Sequence, residues 1–590
     1  MPTRDALAAP PRRSRRVALR RGAVCSELPL GHDVLRMIVA LVDDVRQLRL
    51  VCRVARGAVE ERLRACRLVA KEMRLRVKWR VPARELEHAW LVRAPVPLAV
   101  RYAELDVALA ATTPLVDFGA TFTLALRCSP AELAEAATRA VARAAGRAGA
   151  FALSYERCTS RDVESIELPA IVASVGRGAF KNGRALRGVT FAEPSALAAI
   201  AEGAFDSCGG LRCVVFPKSV QTMDKLAFHG CSELRDVAFE EGCILTAIGG
   251  CAFRGCAAVP GVALPVTLQT IGAEAFLGCS LLRAVTFGEQ SALTAIGARA
   301  FYDCSALQGI ALPASVKMLD KCTFGACTSL GRVTLPASLT AICDGAFWSC
   351  SKLQRVVFPS SLTTIGPSAF ERCVALQGVE FSASLETIGW HAFECCEMLE
   401  CATLPSSLRA IGACAFMGCC KLGRVTFATP SLLTAIDTAA FSMCALSSVA
   451  IPAGVTAIRA HAFEMCTRLV SVRLATDGAL ARIGPRAFSK CTALRTVALP
   501  SSLASIGERA FYACQSMCDV TFAEPGSLEA IDECAFDGCG ALQAVTLPAS
   551  LRLYAKSAFG PGVAVSGSFR VSFVDERSRV VMESGLLGDW

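Results

Sequence analysis

Val379 and Phe381 are apolar, while Gly378 and Glu380 beside them are not, and the same alternation returns at Val356/Phe358 and Val520/Phe522. A period of two marks a short strand with one buried face. Ahead of each such strand the spacing changes. With Phe370 as origin, Ile365 lies five residues before it, Cys373 three after and Leu376 six after. The Ala-Phe-x-x-Cys piece has a period of three to four, which predicts a single helical turn with Phe and Cys on one side. Pro and Ser after the strand, as in "FPSSL" and "LPASL", mark a corner.

This skeleton recurs down most of the chain. Seventeen phenylalanines from Phe180 to Phe559 occupy the anchor position, at gaps of 23 or 25 residues with one of 22. The two extra residues enter at one loop, where "FAEPSALAAI" or "FGEQSALTAI" replaces "FPSSLTTI". A coil of this length cannot bury its own apolar side, but stacked neighbours can. The pattern therefore predicts a repeat solenoid over 151–562: about 17 coils of short parallel strands, short helical turns and corners. At ordinary strand spacing the stack is roughly 75–80 Å long. "VESIELPAIVASVGRGAF" ahead of Phe180 reads as a half-coil in register. In the C-terminal cap, 563–590, the stretch Ser568 to Glu583 alternates across a polar turn and predicts a hairpin closing the open edge.

The unit resembles the leucine-rich repeat of the BspA-like type, over about Val163 to Phe559. Gly183 and Gly562 replace the cysteine in the first and last units, Met223, Leu319 and Tyr554 replace the isoleucine, and the unit after Phe441 is one residue short. The resemblance implies a stack used for binding, and one reading it brings is a surface or adhesin-type protein.

Of 31 cysteines, fifteen sit three residues after an anchor phenylalanine. A small, weakly polar side chain suits a tight interior corner, which makes this column a packing feature. Buried thiols pointing the same way rarely meet the disulfide torsion. No C-x-x-C pair has a matching second pair, so neither a metal nor any other cofactor is expected. The five histidines do not converge with a nucleophile; His391 and His461 both stand two before an anchor. With no phosphate loop, dinucleotide fingerprint or G-x-S-x-G elbow, the chain reads as non-enzymatic.

Composition narrows the class further. Apolar residues make up 53% and charged ones 19%, which excludes a disordered chain. The longest uncharged runs, such as Thr438 to Ile458, contain breakers like Pro452 and Gly454, so no membrane span is expected. Seven arginines in the first 24 residues supply much of the +10 net charge and define a basic tail, 1–25. This tail reads as a nuclear-import signal, a transit segment or a solvated arm. It lacks the apolar stretch of a secretory signal, which places the protein inside the cell, in cytoplasm or nucleus, with free thiols. The rest of the chain carries no strong nucleic-acid footprint.

Between tail and repeats, Val34, Leu35, Ile38, Leu41 and Val42 have helical spacing, and Val45, Leu48, Val51 and Cys52 resume it after Asp43-Asp44. Residues 26–66 resemble an F-box: Leu28-Pro29 opens it, and Leu48-x-Leu50-Val51-Cys52-Arg53 closes it, although Ala55 stands where that family commonly has Trp. The resemblance implies docking on a Skp-type adaptor of cullin ubiquitin ligases, with Leu28, Pro29, Leu35, Ile38 and Val51 at adaptor-facing or core positions. An ordinary helical cap on the solenoid is the alternative. Residues 67–150 form a mixed, partly helical connection, with a basic helix in "LVAKEMRLRVKWR" and another over Pro130 to Ala150.

On the strands, residues between the buried positions face outward and are mostly small. Arg332, Arg355, Glu380 and Arg424 are charged exceptions near mid-array, and they mark a candidate surface for an acidic or polar protein partner. Solvated strand-edge charge is the alternative.

Overall fold

The computed structural model describes residues 162–567 throughout and, as backbone, four further strands: β1 (Arg76–Arg80), β2 (Thr121–Cys128), β3 (Phe151–Cys158) and Ser572–Val574. The repeats form a continuous solenoid. Each coil contributes a longer strand, such as Arg424–Phe427, and a two-residue strand, such as Ala435–Ile436. Longer strands from Gly261–Leu264 to Asp519–Phe522 make one 12-stranded parallel sheet, and a 4-stranded sheet precedes it. The short strands make a second side, and their isoleucines stack in register, Ile365 on Ile388 and Ile388 on Ile411.

The third side is not helical, in contrast to the period of three to four. Its N–H groups alternate between two destinations. Glu371 N–H donates to Ser368 C=O (3.2 Å) and Cys373 N–H to Phe370 C=O (3.1 Å), both within the coil. Ser368, Phe370 and Arg372 instead donate to Trp390, Ala392 and Glu394 of the next coil, at 2.8–2.9 Å. A helix keeps its N–H groups within one segment, four residues apart. Here a left-handed residue on each side of the anchor, Ser368 at φ 49° and Arg372 at φ 60°, turns every second N–H toward the neighbouring coil. The same two positions are left-handed around every anchor from Phe180 to Phe536.

Inside the coil, Ile365, Phe370, Cys373 and Leu376 are fully buried and Val379 nearly so. The anchor rings stack along the axis; Phe370 lies 5.1 Å from Phe347 and 5.3 Å from Phe393, centroid to centroid. Phe358 meets Phe370 edge-on at 5.6 Å, which locks the strand side to the turn side. At the corner, Ser361 Oγ lies 2.6 Å from Leu339 O and 2.7 Å from Ala337 O. Its hydroxyl satisfies backbone carbonyls that no strand pairs, which is why Ser recurs in "SSL" and "ASL".

The ladder begins before the first anchor. β3 lies parallel to Val172–Val175, β2 parallel to β3, and β1 antiparallel to β2. The stretch read as a basic helix in "LVAKEMRLRVKWR" thus ends in strand: Val77 and Trp79 alternate with Arg76, Lys78 and Arg80, and they register with Leu124 and Phe122. At the other end, Ala564–Gly567 pairs in parallel with Ala544–Leu547, and Ser572–Val574 with Leu553–Ala555. Ser572–Val574, in the first arm of the expected hairpin, therefore continues the parallel stack. Its second arm, the basic tail, the F-box-like segment with Leu28, Pro29, Leu35, Ile38 and Val51, and the helix expected over Pro130 to Ala150 lie outside the described residues. Among the described residues no helix is long and apolar enough to cross a membrane.

Candidate interaction surface

The thiol column is interior. All fifteen ladder cysteines place Sγ 3.1–3.3 Å from the backbone carbonyl oxygen of the preceding coil's anchor, as Cys373 does with Phe347. Burial pushes the thiols of Cys279, Cys373 and Cys466 up to about 12. They are S–H donors, without the thiolate character that nucleophiles and metal ligands need. Among the described residues no group of His, Cys, Asp and Glu is arranged to hold a metal ion.

The described histidines all pair with carboxylates. His461 Nδ1 lies 2.6 Å from Glu464 Oε2, and His391 pairs in the same way with Glu394, so "HAFE" is a left-handed residue joined to the acid three positions on. His229 reaches Asp206 Oδ1 at 2.9 Å, and Lys181 reaches Oδ2 of the same carboxylate at 2.8 Å. Desolvation raises the Asp206 pKa, but hydrogen bonds from Lys181, His229 and Ser207 outweigh it and hold the group below the usual carboxylate value.

That cluster belongs to a wider pattern on the turn side, where charges pair across coils. Glu202 sits between Arg177 (3.3 Å) and Lys225 (3.2 Å), Glu274 between Arg254 and Arg299, and Asp344 beside Lys321 (2.7 Å).

The strand side is arranged differently. Arg332, Arg355, Glu380 and Arg424 all stand exposed at outward positions. Arg332 is in register with Arg355 on the adjacent strand. Arg355 Nη2 lies 2.6 Å from Glu380 Oε1, so two of the four neutralise each other. Arg424 is three coils from Arg355, with Gly378 and Cys401 in the positions between. The structure brings Arg332, Arg355 and Glu380 together and leaves Arg424 apart.

Sequence reasoning passed over a second row. Arg187, Arg212 and Arg235 stand in consecutive coils, each one residue ahead of its long strand, and Arg283 takes the same place two coils on. The signal was available as an arginine seven residues after Phe180, Phe205, Phe228 and Phe276.

The model for the BspA-type leucine-rich-repeat region matches residues 153–259, 246–377, 342–470 and 471–562. The chain belongs to the BspA-type leucine-rich-repeat family. Solved leucine-rich-repeat proteins are similar to it. A leucine-rich repeat protein from Bacteroides ovatus is 26% identical, with a TM-score of 0.47 over 64% of this chain and 88% of that one. A leucine rich cell surface protein from Faecalibacterium prausnitzii is 22% identical, with a TM-score of 0.33 over 63% and 90%. The leucine-rich repeat protein of T. pallidum is 25% identical, with a TM-score of 0.28 over 39% and 91%. No curated protein matches. Within the BspA-type unit, the recurring positions are the buried ones, and the residues that distinguish one coil from the next lie on its outer sides.

Proposed function

We propose that this BspA-type protein is a non-enzymatic, intracellular scaffold that binds protein partners along the long-strand side of its stack. The supporting observation is a core of repeated phenylalanine, cysteine, leucine and valine beneath outward strand positions that differ from coil to coil. A rigid frame of that kind holds different side chains at fixed spacing, which is what recognition of an extended surface requires. Ladder cysteines acting as S–H donors suit a compartment that keeps thiols reduced. In its narrower form, the protein is a substrate receptor of a cullin-type ubiquitin ligase, with the F-box-like segment 26–66 holding a Skp-type adaptor while the stack holds the target.

Cross-linking of the full chain in cell extract, with mass-spectrometric mapping, tests the scaffold. Partner cross-links concentrated on the long-strand side are expected; an even scatter over all sides overturns it. Co-purification with a Skp-type adaptor, lost in a Leu35→Asp/Ile38→Asp variant, tests the narrower form. An adaptor that is absent, or retained by the variant, removes the ligase role.

A further inference from the structure

We infer that the arginine row at the N-terminal end of the strand side, Arg187, Arg212, Arg235 and Arg283, is the docking site for an acidic segment of a partner protein. This rests on the scaffold reading and adds the place and the chemistry.

The row is built into the backbone. Arg212 N–H donates to Arg187 C=O (2.9 Å), and Arg235 N–H to Arg212 C=O (2.8 Å), so three guanidinium side chains leave adjacent rungs about 4.7–4.9 Å apart. Like charges on adjacent rungs repel. Elsewhere in the same coils that cost is avoided: on the turn side Arg177, Lys181, Lys225 and Arg254 each have a carboxylate. In the row, Arg212 alone is paired, with Glu233 at 3.3 Å. Among the described residues Arg187, Arg235 and Arg283 have no carboxylate within ion-pair distance. The turn side of these coils neutralises itself, whereas the strand side pairs Arg212 alone, which leaves Arg187, Arg235 and Arg283 as planar, bidentate donors for carboxylates from outside.

The surroundings favour a protein over a nucleic acid. Val215 is half exposed in the row's own sheet, and Thr190, Ala238 and Ala263 are small outward positions beside it, while the acids Glu164, Glu167 and Asp236 on the same rungs form no ion pair with the row. Among the described residues these strands carry no outward aromatic ring on which a base would stack, the usual anchor of single-stranded nucleic acid. A segment with acids and small apolar residues matches both features.

The test is photo-crosslinking of the full chain with a short Glu/Val peptide carrying a benzophenone, with adducts mapped by mass spectrometry, and with a Lys/Val peptide and an RNA oligonucleotide as parallel probes. Adducts are expected on the strand side of the coils anchored by Phe180 to Phe276. They should fall with added salt and drop at least about tenfold in Arg187→Glu/Arg235→Glu, but not in the turn-side control Arg486→Glu/Lys490→Glu, which changes net charge equally. Adducts confined to residues 1–25, equal loss in both variants, or RNA adducts on the same coils with the same loss would overturn the inference. If the peptide fails while extract partners still cross-link to the strand side, the scaffold stands and the acidic partner falls.

Discussion

The thiol of Cys373 donates to the backbone carbonyl of Phe347 in the preceding coil, 3.2 Å away, while the Cys350 N–H donates to that same oxygen from within the coil. The cysteine thus fills a corner and also ties one coil to the next. In Cys373→Ala the carbonyl keeps its N–H partner, so the loss is one weak bond and a small void, about 1–2 kcal/mol. Urea denaturation of the variant should show a lowered midpoint of that size; an unchanged midpoint would mean that the column contributes neither packing nor bonding.

Reactivity should divide the cysteines by depth. Cys213, Cys401, Cys420 and Cys518 are exposed, whereas the ladder thiols are buried. With iodoacetamide near pH 8, the exposed four should react in the native state and the ladder only after unfolding. Rapid native labelling of Cys279, Cys373 or Cys466 would contradict S–H donors whose pKa lies at about 12.

The same shift sets a limit in base. Burial raises these thiols in the folded state above the ordinary thiol value of 9.0. The stability linked to the shift is fully present below the unfolded pKa and is lost as pH rises from 9 through about 12, where the unfolded chain has gained its thiolates. Denaturant midpoints should be flat from neutral pH to about 8.5 and fall steeply above it. A midpoint holding level to pH 11 would show that the thiolates are accommodated.

How much of this was legible depended on what repeats. Ile365, Phe370, Cys373, Leu376 and Val379 return in almost every unit, because the stack buries them in every coil, and the solenoid followed from them directly. The turn side was misread because i to i+3 hydrogen bonds give the same apolar period as a helix. What distinguishes it is the pair of left-handed residues beside each anchor, and these are Ser368 and Arg372 in one coil and His391 and Cys395 in the next, with no common signature. The candidate patch at Arg332, Arg355, Glu380 and Arg424 is legible because these residues stand between buried strand positions. The Arg187 row sits one residue ahead of the strand, and whether an arginine is paired depends on neighbouring coils, as Arg355 and Glu380 show.

Left-handed backbone at residues with a Cβ costs about 1–2 kcal/mol each, and glycine avoids it. Arg372→Gly, at φ 60° and exposed, should therefore raise the denaturation midpoint slightly, the gain being reduced by the looser unfolded chain. Ser349→Ile, at φ 61°, should lower it, because a β-branched side chain is worst placed there. If both substitutions shift stability in the same direction, backbone strain is not what these positions share.

Removing one anchor ring should damage the stack locally. Phe370 is wholly buried between Phe347 and Phe393 and braced edge-on by Phe358, so Phe370→Ala leaves a void that three fixed rings cannot close, at a cost of about 3–5 kcal/mol. Phe559, at the end of the anchor ladder, stacks on Phe536 and is only partly buried, and the same change there should cost less. In a solenoid each coil contacts only its neighbours, so the penalty falls on the interfaces that the ring made. Hydrogen exchange read by mass spectrometry should show lost protection in the coils anchored by Phe347, Phe370 and Phe393, while the coils near Phe205 and Phe511 keep theirs. Uniform loss along the array would mean that the stack opens as one cooperative unit, and the coil-by-coil account of its stability would have to be given up.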